Sequence, residues 1–243
     1  MKVAILRFLA LMAVATLALQ LYFLLRILMM VAIAPQSTSF QRSEAVRILS
    51  QKHELPWSQE WVANARISDH LKRAVIASED AGFIEHSGVE WDAIEKAWAR
   101  NQKAEAAVQK AATSKKPPRA PKVIGGSTIS QQLAKNLFLS GERHVLRKVQ
   151  ELIITLTLET VLSKQRILEI YLNNVEWGQG VFGAQAAAGH YFRASAAQLS
   201  AHQAARLAVM LPAPKRFERN PGSAYVMGRS ATIVARMGAV DLP

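Results

Sequence analysis

The sequence contains no cysteine, so neither disulfide bonds nor thiolate metal ligands can stabilise the chain or drive its chemistry. Acidic residues are scarce: 18 Asp and Glu stand against 30 Lys and Arg, which gives a formal net charge of +12. This excess predicts an anionic partner: nucleic acid, a lipid surface or a phosphorylated substrate. No series of stacking aromatic residues and no DNA-reading motif accompanies the charge, which argues against nucleic acid.

Long apolar runs are also missing, except at the N-terminus. Phe8 to Leu25 is an uncharged run of 18 residues, which would measure about 27 Å as a helix. Apolar character resumes beyond Arg26 and continues to Ala34. No small-residue cleavage site follows the run, so residues 1–34 are predicted to be an uncleaved transmembrane anchor rather than a signal peptide.

The remaining sequence predicts a mainly α-helical protein. Residues 35–65 are predicted to be a linker and lead-in, and residues 66–243 to be one domain. Apolar residues recur at steps of three and four, and few segments alternate with period two. Helices are predicted at 128–139, 144–162, 164–173, 184–192, 196–211 and 222–238.

Residues 101–122 differ in composition from the rest of the domain. They are rich in Ala, Lys and Pro, with six basic residues against one acid. The prolines exclude a regular helix, so this segment is predicted to be a mobile basic insertion. As an alternative to a solvated linker, it would bind anionic lipid head groups.

A first polar block begins at Glu79. Leu71, Val75 and Glu79 are spaced by four residues, so Glu79 extends the apolar stripe of its helix. Partial desolvation would raise the pKa of this carboxyl group and suit it to proton transfer. The alternative is a carboxylate paired with a cation at a helix end. The other candidates in this block are Asp80, Phe83 and His86.

A second block follows two glycines at 125 and 126. Thr128 and Gln131 have the spacing of a capping box, and free N–H groups at such a helix start attract phosphate. The following polar face contains two amides and a lysine but no acid, which favours a ligand site over an ordinary amphipathic helix. The candidates in this block are Ser127, Thr128, Gln131, Gln132, Lys135 and Asn136.

The third block is Arg147, Lys148 and Glu151. The two cations precede the acid by four and three residues, a spacing that is common for ion pairs on exposed helices. A motif of the form G-x-G-x-x-G at 178–183 is not interpreted as a nucleotide site, because no βαβ unit surrounds it. Its glycines are predicted to form a turn between Asn174 and a helix that begins at Ala184.

Taken in order, these blocks resemble the family 51 glycosyltransferases, the peptidoglycan polymerases of bacterial envelopes. The resemblance rests on E-D-x-x-F-x-x-H-x-G at 79–88, G-G-S-T-I-S-Q-Q-L-A-K-N at 125–136, R-K-x-x-E at 147–151 and K-x-x-I-L-E-x-Y-L-N at 164–173. With one anchor and no room for a transpeptidase domain, the chain resembles the monofunctional biosynthetic transglycosylases of that family. The resemblance implies a lysozyme-like glycosyltransferase domain with a membrane-embedded lobe.

The resemblance also implies roles for the candidate residues. Glu79 matches the general base that deprotonates the 4-hydroxyl of lipid II. Glu151 matches the second glutamate, which assists the diphosphate leaving group directly or through a divalent cation, Mg²⁺ or Mn²⁺. The positions implied to bind phosphate or sugar include Ser127, Gln131, Lys135, Arg147 and Lys148.

The partners implied are lipid II, the growing glycan strand, the lipid bilayer, and proteins of cell-wall synthesis or division. The implied location is the bacterial inner membrane, with the catalytic domain on the periplasmic side. The chain departs from the family pattern in the insertion at 101–122, where the family has a mobile flap, and in His202-Gln203, where an acid is common. Two alternatives stay open: a membrane-bound lytic muramidase, and a non-enzymatic basic protein that binds membrane surfaces.

Overall fold

The computed structural model describes residues 2–91, 126–139 and 145–243, together with helical positions at 95, 99 and 102. Most of the predicted insertion at 101–122 therefore lies outside the described residues. The prediction of a mainly α-helical protein is confirmed. The helices with defined bounds are α1 (Lys2–Met29), α2 (Ser39–Lys52), α3 (Asp69–Glu79), α4 (Ile129–Phe138), α5 (Val145–Val161), α6 (Lys164–Asn174), α7 (Ala184–Phe192), α8 (Ala201–Met210), α9 (Pro214–Phe217) and α10 (Ala224–Met237). Short 3-10 turns cover Asn64–Arg66 and Ala196–Gln198.

The apolar faces of the helices form two packed groups around one core. Helices α3, α8 and α10 pack on one another, and α4 packs against α5 and α6. The stripe predicted for α3 is buried, because Leu71, Ala74 and Val75 have no solvent exposure. Glu79 is the last residue of α3 and lies where the two groups meet.

Side-chain caps define where several helices begin. The predicted capping box at the start of α4 is present: Thr128 and Gln131 exchange hydrogen bonds with each other's backbone N–H. The prediction of one continuous helix over 196–211 is wrong. The hydroxyl of Ser68 donates to the carbonyl of Leu199 at 3.0 Å, and a second capping box at Ser200 then begins α8.

Helix α1 is long and apolar enough to cross a membrane, and no other described helix meets that criterion. Its C-terminal turns nevertheless pack on the domain. Phe23 and Ile27 are buried, and the Phe23 ring meets the edge of Phe138 with centroids 5.2 Å apart. The side-chain amides of Gln20 and Gln150 exchange two hydrogen bonds of 2.8 and 3.1 Å. The predicted divisions at residues 34 and 65 stay predictions.

A small sheet was not expected from the sequence. Strands β1 (Ser58–Gln59), β2 (Glu176–Gly178) and β3 (Val181–Phe182) pair in the order β1-β3-β2. Strands of two or three residues are too short to show a period in the sequence. The glycine-rich segment between α6 and α7 is the turn of this sheet, so the prediction of a turn before Ala184 is confirmed.

Gly180, at the tip of this turn, is the site of a stability prediction. Its φ is +77°, and a Cβ atom there would lie 2.0 Å from the carbonyl oxygen of Pro56. Because both the backbone conformation and the contact exclude a side chain, Gly180→Ala should lower the free energy of unfolding by about 2–3 kcal/mol. Gly222→Ala is the control, since a Cβ there meets no atom within 4 Å. Denaturation of both variants in detergent, followed by circular dichroism, checks the difference. Equal stability would contradict it.

Candidate active site

Glu79 ends α3 with its carboxylate directed at α4. The side-chain Nε2 of Gln132 donates to Oε2 of Glu79 at 3.0 Å. Burial raises the pKa of Glu79 above its ordinary value, the hydrogen bond from Gln132 opposes this, and the neighbouring Asp80 raises it further. Glu79 is thus a desolvated carboxylate that accepts a hydrogen bond from the neighbouring helix, which is the state expected of a general base.

The donor to Glu79 is itself held by a third residue. The hydroxyl of Tyr171 on α6 donates to Oε1 of Gln132 at 2.9 Å, and Tyr171 is only 1% exposed. Tyr171 was not among the candidate site residues predicted from the sequence. The signal that was available is the tyrosine of the K-x-x-I-L-E-x-Y-L-N block, whose hydroxyl needs a partner when the ring is buried.

Asp80, Phe83 and His86 make their contacts within the protein. Oδ2 of Asp80 accepts from the backbone N–H of Ile129 at 2.9 Å, and its Oδ1 lies 2.8 Å from Nε2 of His86. Nδ1 of His86 accepts from the N–H of Gly88 at 3.0 Å, so Nε2 bears the proton that reaches Asp80. The Phe83 ring is fully buried. These three residues attach the segment after α3 to the start of α4, and their binding of substrate stays a prediction.

Three N–H groups at the start of α4 are already hydrogen-bonded within the protein. The N–H of Thr128 donates to Gln131, that of Ile129 to Asp80, and that of Gln131 to Thr128. The expectation that these groups are free is wrong, because a carboxylate and a capping box already satisfy them. Thr128 and Gln131 are buried and organise the helix start.

In the third block the acidic residue, Glu151, is buried. Glu151 is 3% exposed, and its two carboxylate oxygens accept from Nη1 of Arg147 at 2.7 Å and from Nζ of Lys148 at 2.5 Å. The alternative of an ordinary exposed ion pair is therefore wrong for Glu151. Lys148 keeps about half of its side chain in solvent, with 54% exposed.

Lys135 of α4 joins this charged cluster. Desolvation lowers the pKa of Lys135, Glu151 opposes that change, and Arg147 and Lys148 lower the pKa further. We refer to Lys135, Arg147, Lys148 and Glu151 together as the cationic cluster. With three cations and one acid it has a surplus of positive charge, which would attract and stabilise a phosphate group.

One face of α4 contacts both Glu79 and the cationic cluster. Gln132 and Lys135 are three residues apart on α4, so their Cβ atoms lie about 5–6 Å apart on one face. Gln132 contacts Glu79, and Lys135 interacts with Glu151. Ser127 is exposed beside this face, and its carbonyl lies 3.4 Å from Nε2 of Gln132. Asn136, also on α4, is partly exposed.

The described side chains around Glu151 are not the usual ligands of a divalent cation. Both oxygens of its carboxylate are bonded to cations. Within the described ranges, no group of three His, Asp or Glu side chains converges. Divalent magnesium prefers carboxylates and water in an octahedral shell, not a carboxylate held by lysine and arginine. The binding of Mg²⁺ or Mn²⁺ by Glu151 stays an untested prediction that this donor set argues against.

Comparison with known proteins gives a consistent family. A family model described as transglycosylase matches residues 47–238. The biosynthetic peptidoglycan transglycosylase of Paraburkholderia xenovorans is 50% identical over 234 residues, 96% of this chain and 91% of that protein. Proteins of the same name from Herminiimonas arsenicoxydans and Bordetella pertussis are 50% and 51% identical, over 93% and 86% of this chain and 92% and 82% of their own lengths.

Proposed function

The chain belongs to the transglycosylase family and is a peptidoglycan glycosyltransferase, and on that premise we propose that it polymerises lipid II with inversion and releases undecaprenyl diphosphate. The observation that carries this proposal is the shared face of α4. On that face Gln132 donates a hydrogen bond to the desolvated carboxylate of Glu79, and Lys135, one turn further on, belongs to the cationic cluster.

In the proposed reaction Glu79 is the general base. It accepts the proton of the 4-hydroxyl on the acceptor sugar while that oxygen forms a bond to C1 of the donor. The bond from C1 to the diphosphate oxygen breaks on the opposite face, so the configuration at C1 inverts. Because burial raises the pKa of Glu79, that pKa is closer to neutral pH than the pKa of an exposed glutamate, which suits Glu79 to accept a proton.

The cationic cluster stabilises the leaving group in this proposal. Negative charge grows on the diphosphate as the C1–O bond breaks, and cations that are already in place lower the barrier without reorganising. Lys135 and Lys148 are the exposed cations of the cluster. Glu151 keeps its two neighbours on α5 oriented. In this proposal lysine and arginine side chains supply the positive charge that the leaving group requires.

Helix α1 and the exposed apolar side chains of α5 would both enter the lipid bilayer that contains the substrate. Residues 2–19 of α1 precede the turns that pack on the domain, and as a helix they span about 27 Å, close to the thickness of a hydrocarbon core. Exposed apolar side chains follow one side of α5, at Val145, Leu146 and Val149. We propose that this side enters the inner membrane from the periplasm and admits the undecaprenyl chain.

The polymerisation assay is the first test. Purified full-length protein in detergent, incubated with labelled lipid II, should form glycan strands and release undecaprenyl diphosphate. The rate should change by less than about twofold when EDTA is added, because lysine and arginine supply the positive charge. Cleavage of intact sacculi without polymer would instead support the muramidase. Loss of activity in EDTA that Mg²⁺ restores would show that a metal ion is required.

A further inference from the structure

Tyr171 has a buried polar group that the proposed reaction does not use. Its hydroxyl is enclosed between α6 and α4, and among the described residues its proton is bonded to Oε1 of Gln132. Burial raises the pKa of Tyr171 well above its ordinary value, and the negative charges of Glu79 and Asp80 raise it further. The hydroxyl is therefore protonated at neutral pH, and it acts as a donor.

The hydrogen bond from Tyr171 favours one of the two orientations that the side-chain amide of Gln132 can adopt. In the orientation observed, Oε1 of Gln132 faces Tyr171 and Nε2 faces Glu79. With the amide turned over, the oxygen would face the Glu79 carboxylate, and the tyrosine proton would be buried without its acceptor. The turned amide suits a protonated Glu79, which can donate to it. The observed amide suits an ionised Glu79.

We propose that Tyr171 is a positioning residue that keeps the Gln132 amide donating to Glu79, and so keeps the general base ionised. The inference rests on the proposed function, since it concerns the base of that reaction. Tyr171 does not touch substrate; it acts through Gln132.

Other groups near Glu79 do not replace this control. Asp80 follows it on the chain and raises its pKa, and a hydrogen bond with Ser78 lowers it. On α4, the carboxylate that interacts with Lys135 is Glu151 rather than Glu79. Among the described residues, the groups that face the Glu79 carboxylate from other helices are thus Gln132 and, behind it, Tyr171.

The test is the pH dependence of kcat/KM for lipid II polymerisation by the full chain. Tyr171→Phe keeps the ring and removes the donor, so among the described residues, beyond Glu79 itself, only the 3.4 Å contact of Nε2 with the Ser127 carbonyl still favours the observed orientation of the amide. The pKa of Glu79 should rise, and the acid limb of the profile should move to higher pH by roughly half to one unit. On the alkaline side of this limb the rate should stay within about threefold of wild type, because the base is ionised there in both proteins.

Tyr191→Phe is the matched control. Tyr191 also donates a hydrogen bond, to the carbonyl of Trp177 at 2.8 Å, but it has no contact with Gln132 or Glu79. Its variant should leave the acid limb in place. A double variant with Gln132→Ala adds a second check: once the amide is gone, Tyr171→Phe should move the limb no further.

The outcomes separate the two proposals. If wild type forms no polymer, the proposed function fails. If wild type polymerises and Tyr171→Phe leaves the limb unchanged, or moves it no more than Tyr191→Phe does, the positioning role is overturned. If Tyr171→Phe does not fold, 3-fluorotyrosine at position 171 gives a stronger donor in the same ring. The limb should then move to lower pH, and an unmoved limb would overturn the proposal.

Discussion

Glu79→Gln should lower the rate of lipid II polymerisation by about 10²–10⁴-fold, the usual contribution of a general base. The substitution keeps the shape of the side chain but removes the group that accepts the proton. Gln132 can still donate to the side-chain oxygen at this position, so the contact between α3 and α4 should be retained. Initial rates with labelled lipid II, measured beside the melting temperature of each protein, check the prediction.

Glu85→Gln is the control for that substitution. Glu85 is an exposed acid six residues further along the chain, so its loss changes the net charge equally without touching α4. The control should retain wild-type rates. Full activity in Glu79→Gln would remove this carboxylate from the reaction.

Glu151→Gln should lower the polymerisation rate by about 10²-fold, comparable to the loss of one well-placed electrostatic group. A neutral amide cannot hold Arg147 and Lys148 as the carboxylate does, so the two cations would lose their fixed positions. The added positive charge would hold the substrate diphosphate more tightly, so the loss should fall on kcat more than on KM.

A second ion pair provides the comparison for Glu151. Glu169 bonds Arg166 at 2.7 Å with a spacing of three residues, and it lies on α6 away from the cationic cluster. Glu169→Gln should reduce stability slightly and leave the rate near that of wild type. An equal loss of rate in both variants would mean that Glu151 acts on the fold rather than on the leaving group.

The sequence predicts the parts of this site that depend on spacing along one helix. The four-residue steps from Leu71 to Glu79 place the carboxylate beside the core, and the interval from Thr128 to Gln131 defines the start of α4. Those relations follow from helix geometry alone. The mainly helical class follows from the same periodicity.

What the sequence does not predict is which distant residues meet. The 3- and 4-residue spacing of Arg147, Lys148 and Glu151 is the same on an exposed helix as on a buried one, so burial of Glu151 follows only from the packing of α4 on α5. Asp80 bonds the start of a helix 49 residues further along the chain, a contact that no spacing in the sequence predicts. Such contacts depend on the tertiary fold.

The paired amides of Gln20 and Gln150 have a consequence for how the enzyme can be produced. Phe23 and Ile27 from the same helix, and Met30 directly after it, are part of the domain's interior. Removing residues 1–34 to make the protein soluble would expose the apolar surface that those side chains cover. Helix α1, which is long and apolar enough to cross a membrane, therefore also contributes to the core of the catalytic domain, and a shortened enzyme would have to retain its C-terminal turns.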